Sequence, residues 1–231
     1  MKLHGLQKLT LLDFPGHTAC TVFTGWCNWR CPFCHNASLV LSPEAQPLID
    51  PEEVFSLLEK RRGLLDGVAI TGGEPTLQKD LPDFIRHVRE MGFAVKLDTN
   101  GTDPVMLRQL LEEELLDYVA MDIKAGRQNY AAATGTLRCG LEKVQESAAM
   151  LLSGKIDFEF RTTVVRELHS AEDFEDIGVW LRGGERYFLQ QFKDSGELIH
   201  PGYTACKQDE MEAFRQIVAP FIPRTELRGV D

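Results

Sequence analysis

The sequence predicts an α/β fold with a parallel sheet, arranged as a partial (β/α)6, TIM-like barrel. Short apolar runs rich in β-branched residues alternate with amphipathic helical stretches, and residues typical of helix ends separate them. Six such strand–helix units predict parallel pairing, since each crossover returns the chain to the same end of the sheet. A complete barrel of eight units needs about 250 residues. Six units therefore fit the 231 residues as an incomplete barrel.

Continuous apolar runs mark the six predicted strands, because strands of a parallel sheet are covered by helices on both faces. These runs span residues 19–24, 67–71, 94–99, 118–123, 158–165 and 187–192. Helix signals lie between them. Asp50, Asp103 and Ser170 stand where N-cap residues belong, and Gly92 and Gly154 stand where helices end. The order of elements is therefore strand, helix, strand throughout.

No repeat, linker or change in composition divides the chain, so residues 1–231 are predicted to form a single domain. A last helix is predicted over residues 208–219. Residues 37–46 form the least regular stretch and are predicted to be a flap.

Composition excludes some classes of function. The net charge of −10, from 25 basic and 35 acidic residues, argues against a nucleic-acid-binding protein, which would carry a basic face. The first residues include charged side chains and show no signal peptide, and no apolar run is long enough to cross a membrane. We expect a protein of the reducing cytoplasm without a membrane partner.

The cysteine-rich segment after the first predicted strand is the most informative part of the chain. Cys27, Cys31 and Cys34 have the spacing C-x3-C-x2-C. Thiolates are the ligands of iron–sulfur clusters, and three of them leave one iron of a four-iron cluster open to a substrate. A zinc site with His35 as fourth ligand is the alternative. It is disfavoured because His35 adjoins Cys34 and no second cysteine pair follows.

Polar residues cluster at the carboxyl ends of the predicted strands, where sites of parallel α/β folds form. Each of them has a structural alternative: a tight turn, a surface ion pair or a hydrogen-bonded core amide. Their joint occurrence on successive strands favours one site beside the cysteines. The residues are Gly72, Gly73, Glu74, Asp98, Thr99, Asp122, Lys124, Arg161 and Gln190.

Two of these features resemble the radical S-adenosylmethionine (SAM) superfamily. The C-x3-C-x2-C loop with an aromatic residue, Phe33, before the third cysteine is similar to that family's first motif. Gly72-Gly73-Glu74-Pro75 is similar to its second motif. The resemblance implies an oxidoreductase with a [4Fe-4S] cluster held by the three cysteines and SAM bound to the remaining iron.

Within the superfamily, the chain resembles the activating enzymes of glycyl-radical proteins, above all those of anaerobic ribonucleoside-triphosphate reductase. Four stretches carry this likeness: residues 13–16, 31–36, 97–101 and 121–124. One departure is Asp13-Phe14-Pro15-Gly16, where pyruvate formate-lyase activases have D-G-P-G. The resemblance implies an anaerobic reaction in which SAM is cleaved and a radical is placed on a glycine of the partner.

The resemblance also implies roles for individual residues. Phe33 would lie near the adenine, and Gly72, Gly73 and Glu74 would receive the methionine ammonium of SAM. Asp98, Thr99 and Asp122 would surround the SAM carboxylate, with a monovalent cation near Asp98 and Asp122, and Lys124 would complement its charge. Arg161 and Gln190 are included by strand position alone.

The implied partners are a glycyl-radical enzyme, with anaerobic ribonucleotide reductase the expected one, and a flavodoxin- or ferredoxin-type electron donor. An incomplete barrel would leave an open side for the partner's glycine loop. Two alternatives remain. One is a radical SAM enzyme acting on a small molecule, such as a carboxy-deazaguanine synthase-like enzyme. The other is a structural metal-binding module without enzymatic activity.

Overall fold

A computed structural model describes residues 1–154, 156–194 and 196–230. The architecture is α/β, and eight strands follow one another in a mostly parallel, open sheet in the order of the chain. The predicted fold class is therefore confirmed.

Eight strands and eight α-helices make up the described part of the chain. The strands are β1 (Leu3–Thr10), β2 (Ala19–Thr24), β3 (Gly67–Gly72), β4 (Ala94–Thr99), β5 (Tyr118–Asp122), β6 (Asp157–Val164), β7 (Arg186–Gln191) and β8 (Arg224–Arg228). The helices are α1 (Ala37–Leu41), α2 (Pro51–Lys60), α3 (Leu81–Glu90), α4 (Pro104–Glu112), α5 (Tyr130–Thr134), α6 (Leu141–Ser153), α7 (Ala171–Trp180) and α8 (Gln208–Val218). All six predicted strands, β2 to β7, are found within one residue at each end.

Two strands and two short helices were not predicted. β1 pairs with β2 in the antiparallel sense, and β8 pairs with β7 in parallel. Both lack a continuous apolar run, since β1 buries only its two end residues and β8 reads Arg-Thr-Glu-Leu-Arg. The expectation that residues 37–46 are irregular is wrong, because they contain α1 and a 3-10 turn at Pro43–Ala45.

Contacts divide the chain into two compact units. Unit 1 comprises Met1–Asn28, Ser38–Thr99 and Asp103–Ala120. Unit 2 comprises Trp29–Ala37, Asn100–Thr102 and the described residues from Met121 onward. A single domain over residues 1–231 stays a prediction.

Unit 1 is built around the parallel strands β2, β3 and β4. Their buried apolar side chains include Val22, Ile70 and Leu97. α2 begins as the sequence predicts, with the side chain of Asp50 accepting a hydrogen bond from the Glu52 amide at 3.0 Å. Removing these apolar side chains from water supplies most of the free energy that holds the unit together.

Unit 2 contains the parallel strands β6, β7 and β8. α7 packs on α8 through stacked rings of Phe174 and Phe214, whose centroids are 4.4 Å apart. The buried carboxylate of Asp173 begins α7 by accepting the Ser170 amide at 2.9 Å. The same carboxylate accepts the Gly126 amide at 3.1 Å, so the start of α7 also fixes the segment that follows β5.

The longest helix in the described ranges, α6, has 13 residues. None of the helices formed by residues 1–154, 156–194 and 196–230 has the length and apolar character that a membrane crossing requires.

Asp173→Ala is expected to lower the free energy of unfolding by about 2–4 kcal/mol, because several buried donors lose their acceptor at once. Urea denaturation followed by circular dichroism measures the change. The neighbouring Glu172→Ala, on the exposed side of the same first turn, is the control and should change it by less than about 0.5 kcal/mol. Equal effects of the two variants would contradict the account of how α7 begins.

Candidate active site

The cysteine loop begins directly after β2. Cys27, in unit 1, is half-buried, whereas in unit 2 Cys31 is buried and Cys34 is half-buried. All six cysteines of the chain are thiols. The loop therefore retains three thiols that are chemically able to bind iron.

Within unit 2, the loop is anchored by two residues that lie between the cysteines. The indole Nε1 of Trp29 donates to the Cys139 carbonyl at 3.0 Å, and the ring packs edge-on against Tyr130 with centroids 5.7 Å apart. The Arg30 amide donates to the Thr134 carbonyl at 3.0 Å. These contacts fix the backbone just before Cys31. Trp29 was not among the predicted site residues, although a large apolar residue inside a polar loop was the available signal.

In unit 1, the Gly72-Gly73 turn packs tightly against the backbone that leads into the loop. The Glu74 amide donates to the Trp26 carbonyl at 2.7 Å, and the Gly73 amide donates to the Thr24 carbonyl at 2.8 Å. A Cβ at Gly73 would lie 2.0 Å from the Trp26 carbonyl oxygen, and one at Gly72 would lie 2.3 Å from Thr24. Both glycines are thus required by packing alone, whatever they bind.

Trp26 has a left-handed backbone with φ of 65°, which is uncommon for a residue other than glycine. Its amide donates to the Leu39 carbonyl at 2.9 Å while its carbonyl accepts the Glu74 amide. The residue before Cys27 is therefore held on both sides of its α-carbon. Trp26 was not among the predicted site residues, because no local sequence pattern indicates a tryptophan with a left-handed backbone.

Glu74 is buried, and its carboxylate is held in unit 1 by two threonines. Oε1 accepts the Thr76 amide at 3.1 Å, the Thr76 hydroxyl at 2.6 Å and the Thr99 hydroxyl at 2.7 Å. Asp98, beside Thr99 on β4, forms an ion pair with the buried Lys96. Four predicted site residues, Gly72, Gly73, Glu74 and Thr99, are thus linked within unit 1.

In unit 2, Asp122, Lys124 and Arg161 form a group of three charges. The Lys124 ammonium lies 2.9 Å from one oxygen of Asp122, and the Arg161 guanidinium lies 3.0 Å from the other. Burial by itself would raise the pKa of Asp122, but Lys124 and then Arg161 outweigh it and lower that pKa to about 2. The carboxylate is ionised at neutral pH, and the group carries a net charge of +1.

The thiols of unit 2 lie within the electrostatic influence of this group. Burial raises the pKa of Cys34, whereas the cations Lys124 and Arg30 oppose that rise. Burial would lower the pKa of Lys124, but Asp122 first, and the Cys31 and Cys34 thiolates in addition, raise it. Lys124 is therefore a permanent cation near two of the predicted cluster ligands.

The other residues that the sequence indicated are Phe33, Gln190 and, for the zinc alternative, His35. Phe33 is buried in the loop, and Gln190 lies half-buried on β7, beside Thr163 and Arg228 in the strand register. His35, the alternative zinc ligand, packs near Phe192 with ring centroids 5.7 Å apart. In the described part of the chain, no three His, Cys, Asp or Glu side chains are grouped so as to hold a metal ion.

Comparison with known proteins identifies the family. A family model for the radical SAM superfamily matches residues 21–180. The chain belongs to the radical SAM superfamily. It is 31% identical to a Methanocaldococcus jannaschii protein whose description reads "Putative glycyl-radical enzyme activating enzyme", over 98% of this chain and 95% of that protein.

Two further matches extend the comparison. The chain is 29% identical to the pyruvate formate-lyase-activating enzyme of Clostridium pasteurianum, over 61% of this chain and 60% of that enzyme. The solved structure of Streptococcus suis SuiB bound to S-adenosylmethionine matches with a TM-score of 0.70 and 13% identity, over 89% of this chain and 49% of SuiB. At that identity the likeness to SuiB shows the fold alone.

Family membership implies a [4Fe-4S] cluster and SAM, and the donors of this chain suit them. Three thiols lie in one loop, and the cations Lys124 and Arg30 act electrostatically on Cys34. Positive charge near thiolates stabilises an anionic iron–sulfur group. Thiol chemistry and family membership, rather than a preformed metal cage, therefore support the cluster at this loop.

Gly73→Ala is expected to lower the free energy of unfolding by about 3 kcal/mol, because the new methyl group overlaps the Trp26 carbonyl. Urea denaturation of the cluster-free protein measures this. Gly63→Ala is the matched control, since Gly63 has φ of 83° but nothing within 4 Å of an added Cβ. It should cost only about 1 kcal/mol of backbone strain. If Gly73→Ala costs no more than the control, the close approach is wrong.

Asp122→Asn is expected to lower the free energy of unfolding of the cluster-free protein by roughly 2 kcal/mol at pH 7. Because the folded-state pKa of Asp122 is depressed to about 2, its stabilisation is complete above the unfolded-state value and is lost as pH falls toward 2. The difference between wild type and variant should therefore shrink between about pH 4 and pH 2. Asp157→Asn, at an exposed pair, is the control and should change stability little at any pH.

Proposed function

We propose that this protein is a glycyl-radical enzyme activating enzyme. It would cleave SAM reductively and take a hydrogen atom from a glycine of a partner enzyme, with methionine and 5′-deoxyadenosine as co-products. The observation that carries the proposal is the 31% identity to the M. jannaschii protein over almost the full length of both chains, and the 29% identity to the pyruvate formate-lyase-activating enzyme agrees with it.

Each part of the predicted site has a role under this proposal. Cys27, Cys31 and Cys34 would hold the cluster, which when bound supplies one electron to SAM. Glu74 supports the predicted ammonium site because its carboxylate is kept in place by Thr76 and Thr99. The residues proposed to contact SAM are Phe33, Gly72, Gly73, Glu74, Asp98, Thr99, Asp122, Lys124, Arg161 and Gln190.

The charges in unit 2 support a site for the SAM carboxylate. Lys124 and Arg161 together exceed the single negative charge of Asp122, so the group attracts an anion. In such a site, Lys124 would complement the charge of the SAM carboxylate, as predicted from the sequence. The monovalent cation near Asp98 and Asp122 stays a prediction that these contacts do not favour, because Asp122 already contacts two cations.

The partner proposed at a finer level is anaerobic ribonucleotide reductase, with a flavodoxin- or ferredoxin-type protein as electron donor. Support comes from the stretches at residues 31–36, 97–101 and 121–124, which resemble the activating enzymes of that reductase. The carboxy-deazaguanine synthase-like alternative requires no protein partner, so a partner assay distinguishes the two.

The test is anaerobic transfer of a radical to a candidate partner. Reconstituted, reduced protein is mixed with SAM and an anaerobic ribonucleotide reductase subunit, and electron paramagnetic resonance follows the glycyl radical. We expect a radical signal that is absent without SAM and absent when the partner's radical glycine is replaced by alanine. SAM cleavage that is fast without any protein partner, with no radical on the subunit, would favour the small-molecule alternative.

Cys31→Ala is expected to abolish cluster assembly and leave a soluble, folded protein, because the core is formed by apolar packing and not by the metal. Iron and sulfide analysis after reconstitution, with circular dichroism, measures both outcomes. Cys139→Ala is the matched control outside the C-x3-C-x2-C spacing and should keep its full iron content. Retention of a full cluster by Cys31→Ala would show that the ligand assignment is wrong.

A further inference from the structure

The segment after β5, Ile123–Gly126, carries Lys124 and is held by side chains from other parts of unit 2. The Ile123 carbonyl accepts the Thr162 hydroxyl at 2.7 Å. The Gly126 amide donates to Asp173 at 3.1 Å. A segment fixed through its backbone in this way presents its side chains in one orientation.

Lys124 itself is held at both of its backbone polar groups. Its carbonyl lies 2.8 Å from Nε2 of His169, and its amide donates to the Tyr130 hydroxyl at 3.4 Å. The shorter and stronger of the two contacts is the one to His169. His169 is therefore the principal partner that fixes the peptide on the carbonyl side of Lys124.

Contacts at both ring nitrogens of His169 bear on where its hydrogen lies. A carbonyl oxygen only accepts, so the 2.8 Å contact with Lys124 requires a hydrogen on Nε2. Nδ1 lies 3.0 Å from both the amide nitrogen and the carbonyl oxygen of Val165, and in the neutral ring with its hydrogen on Nε2 it accepts from the amide. His169 is only 7% exposed. Because its ring contacts both Val165 and Lys124, it links the end of β6 to the segment after β5.

We infer that His169 is a positioning residue for SAM binding: by holding the Lys124 carbonyl, it directs the Lys124 ammonium toward Asp122 and the SAM carboxylate. This inference rests on the proposed function. Without the Nε2 hydrogen bond, the part-buried Lys124 carbonyl loses this partner, and the peptide that follows Lys124 is held less tightly. The ammonium then leaves the position that its 2.9 Å contact with Asp122 defines.

A purely structural role for His169 makes a different prediction from a positioning role. In the first case, substitution lowers stability and leaves the affinity for SAM unchanged. If His169 has a positioning role, its substitution lowers the affinity for SAM more than the loss of a similar hydrogen bond far from Lys124 does. Thr225 offers that comparison, since its buried hydroxyl donates to the Ile222 carbonyl at 2.6 Å, also in unit 2.

Four variants of the reconstituted full-length protein test the inference. His169→Leu removes both hydrogen bonds, and His169→Asn keeps a group near Val165 but is too short to reach Lys124. His169→Gln restores a donor at the position of Nε2. Thr225→Val is the control. The measurements are the equilibrium Kd for SAM, from the change in the reduced-cluster resonance spectrum, and hydrogen exchange of the Lys124 and Ala125 amides in cluster-free protein.

We expect His169→Leu and His169→Asn to raise the Kd for SAM about tenfold and to speed exchange at both amides, as found when an outer partner of a binding group is lost. His169→Gln should recover most of the affinity, and Thr225→Val should leave Kd and exchange at these amides unchanged. Wild-type affinity in the folded Leu or Asn variant would overturn the inference and leave the proposed function intact. Failure of the wild-type protein to bind SAM would overturn both.

Discussion

The close approach between the Gly72-Gly73 turn and the backbone at Thr24–Trp26 is the constraint on which the first part of the cysteine loop, up to Cys27 in unit 1, depends. No side chain fits at either glycine, and the turn donates two hydrogen bonds to the chain that leads into Cys27. Trp26 is held in a left-handed conformation that costs about 1–3 kcal/mol, which these hydrogen bonds offset. Close packing alone therefore requires glycine at both positions of the turn, whether or not the turn also contacts a ligand.

A second constraint acts in unit 2, where charge is concentrated and balanced. Asp122 between Lys124 and Arg161 stays ionised, and the excess positive charge lies near Cys31 and Cys34. Compared with apolar side chains in the same place, a charged group of this kind adds little to stability, because desolvation opposes the attraction, although removing Asp122 alone would leave two cations unbalanced. Lys124 and Arg161 contribute to binding instead, because they are already oriented before an anionic group binds.

The sequence was a reliable guide where one pattern has one structural meaning. The apolar runs correctly predicted β2 to β7. The N-cap residues Asp50, Asp103 and Ser170 correctly predicted where α2, α4 and α7 begin. β1 and β8 were not predicted, because their polar residues interrupt the continuous apolar run that indicated the other strands. The contact between Glu74 and Thr99 and the one between His169 and Lys124 were also missed, since 25 and 45 positions along the chain separate the partners and only the fold brings them together.

Cleavage of SAM is the measurement that tests the account most directly. The protein is reconstituted with iron and sulfide, reduced without oxygen and given SAM, and 5′-deoxyadenosine and methionine are quantified beside the resonance spectrum of the reduced cluster. We expect both products in equal amounts and a spectrum that changes when SAM is added. The proposed function would be contradicted if the fully loaded protein showed no spectral change on addition of SAM and formed neither product in the presence of a partner enzyme.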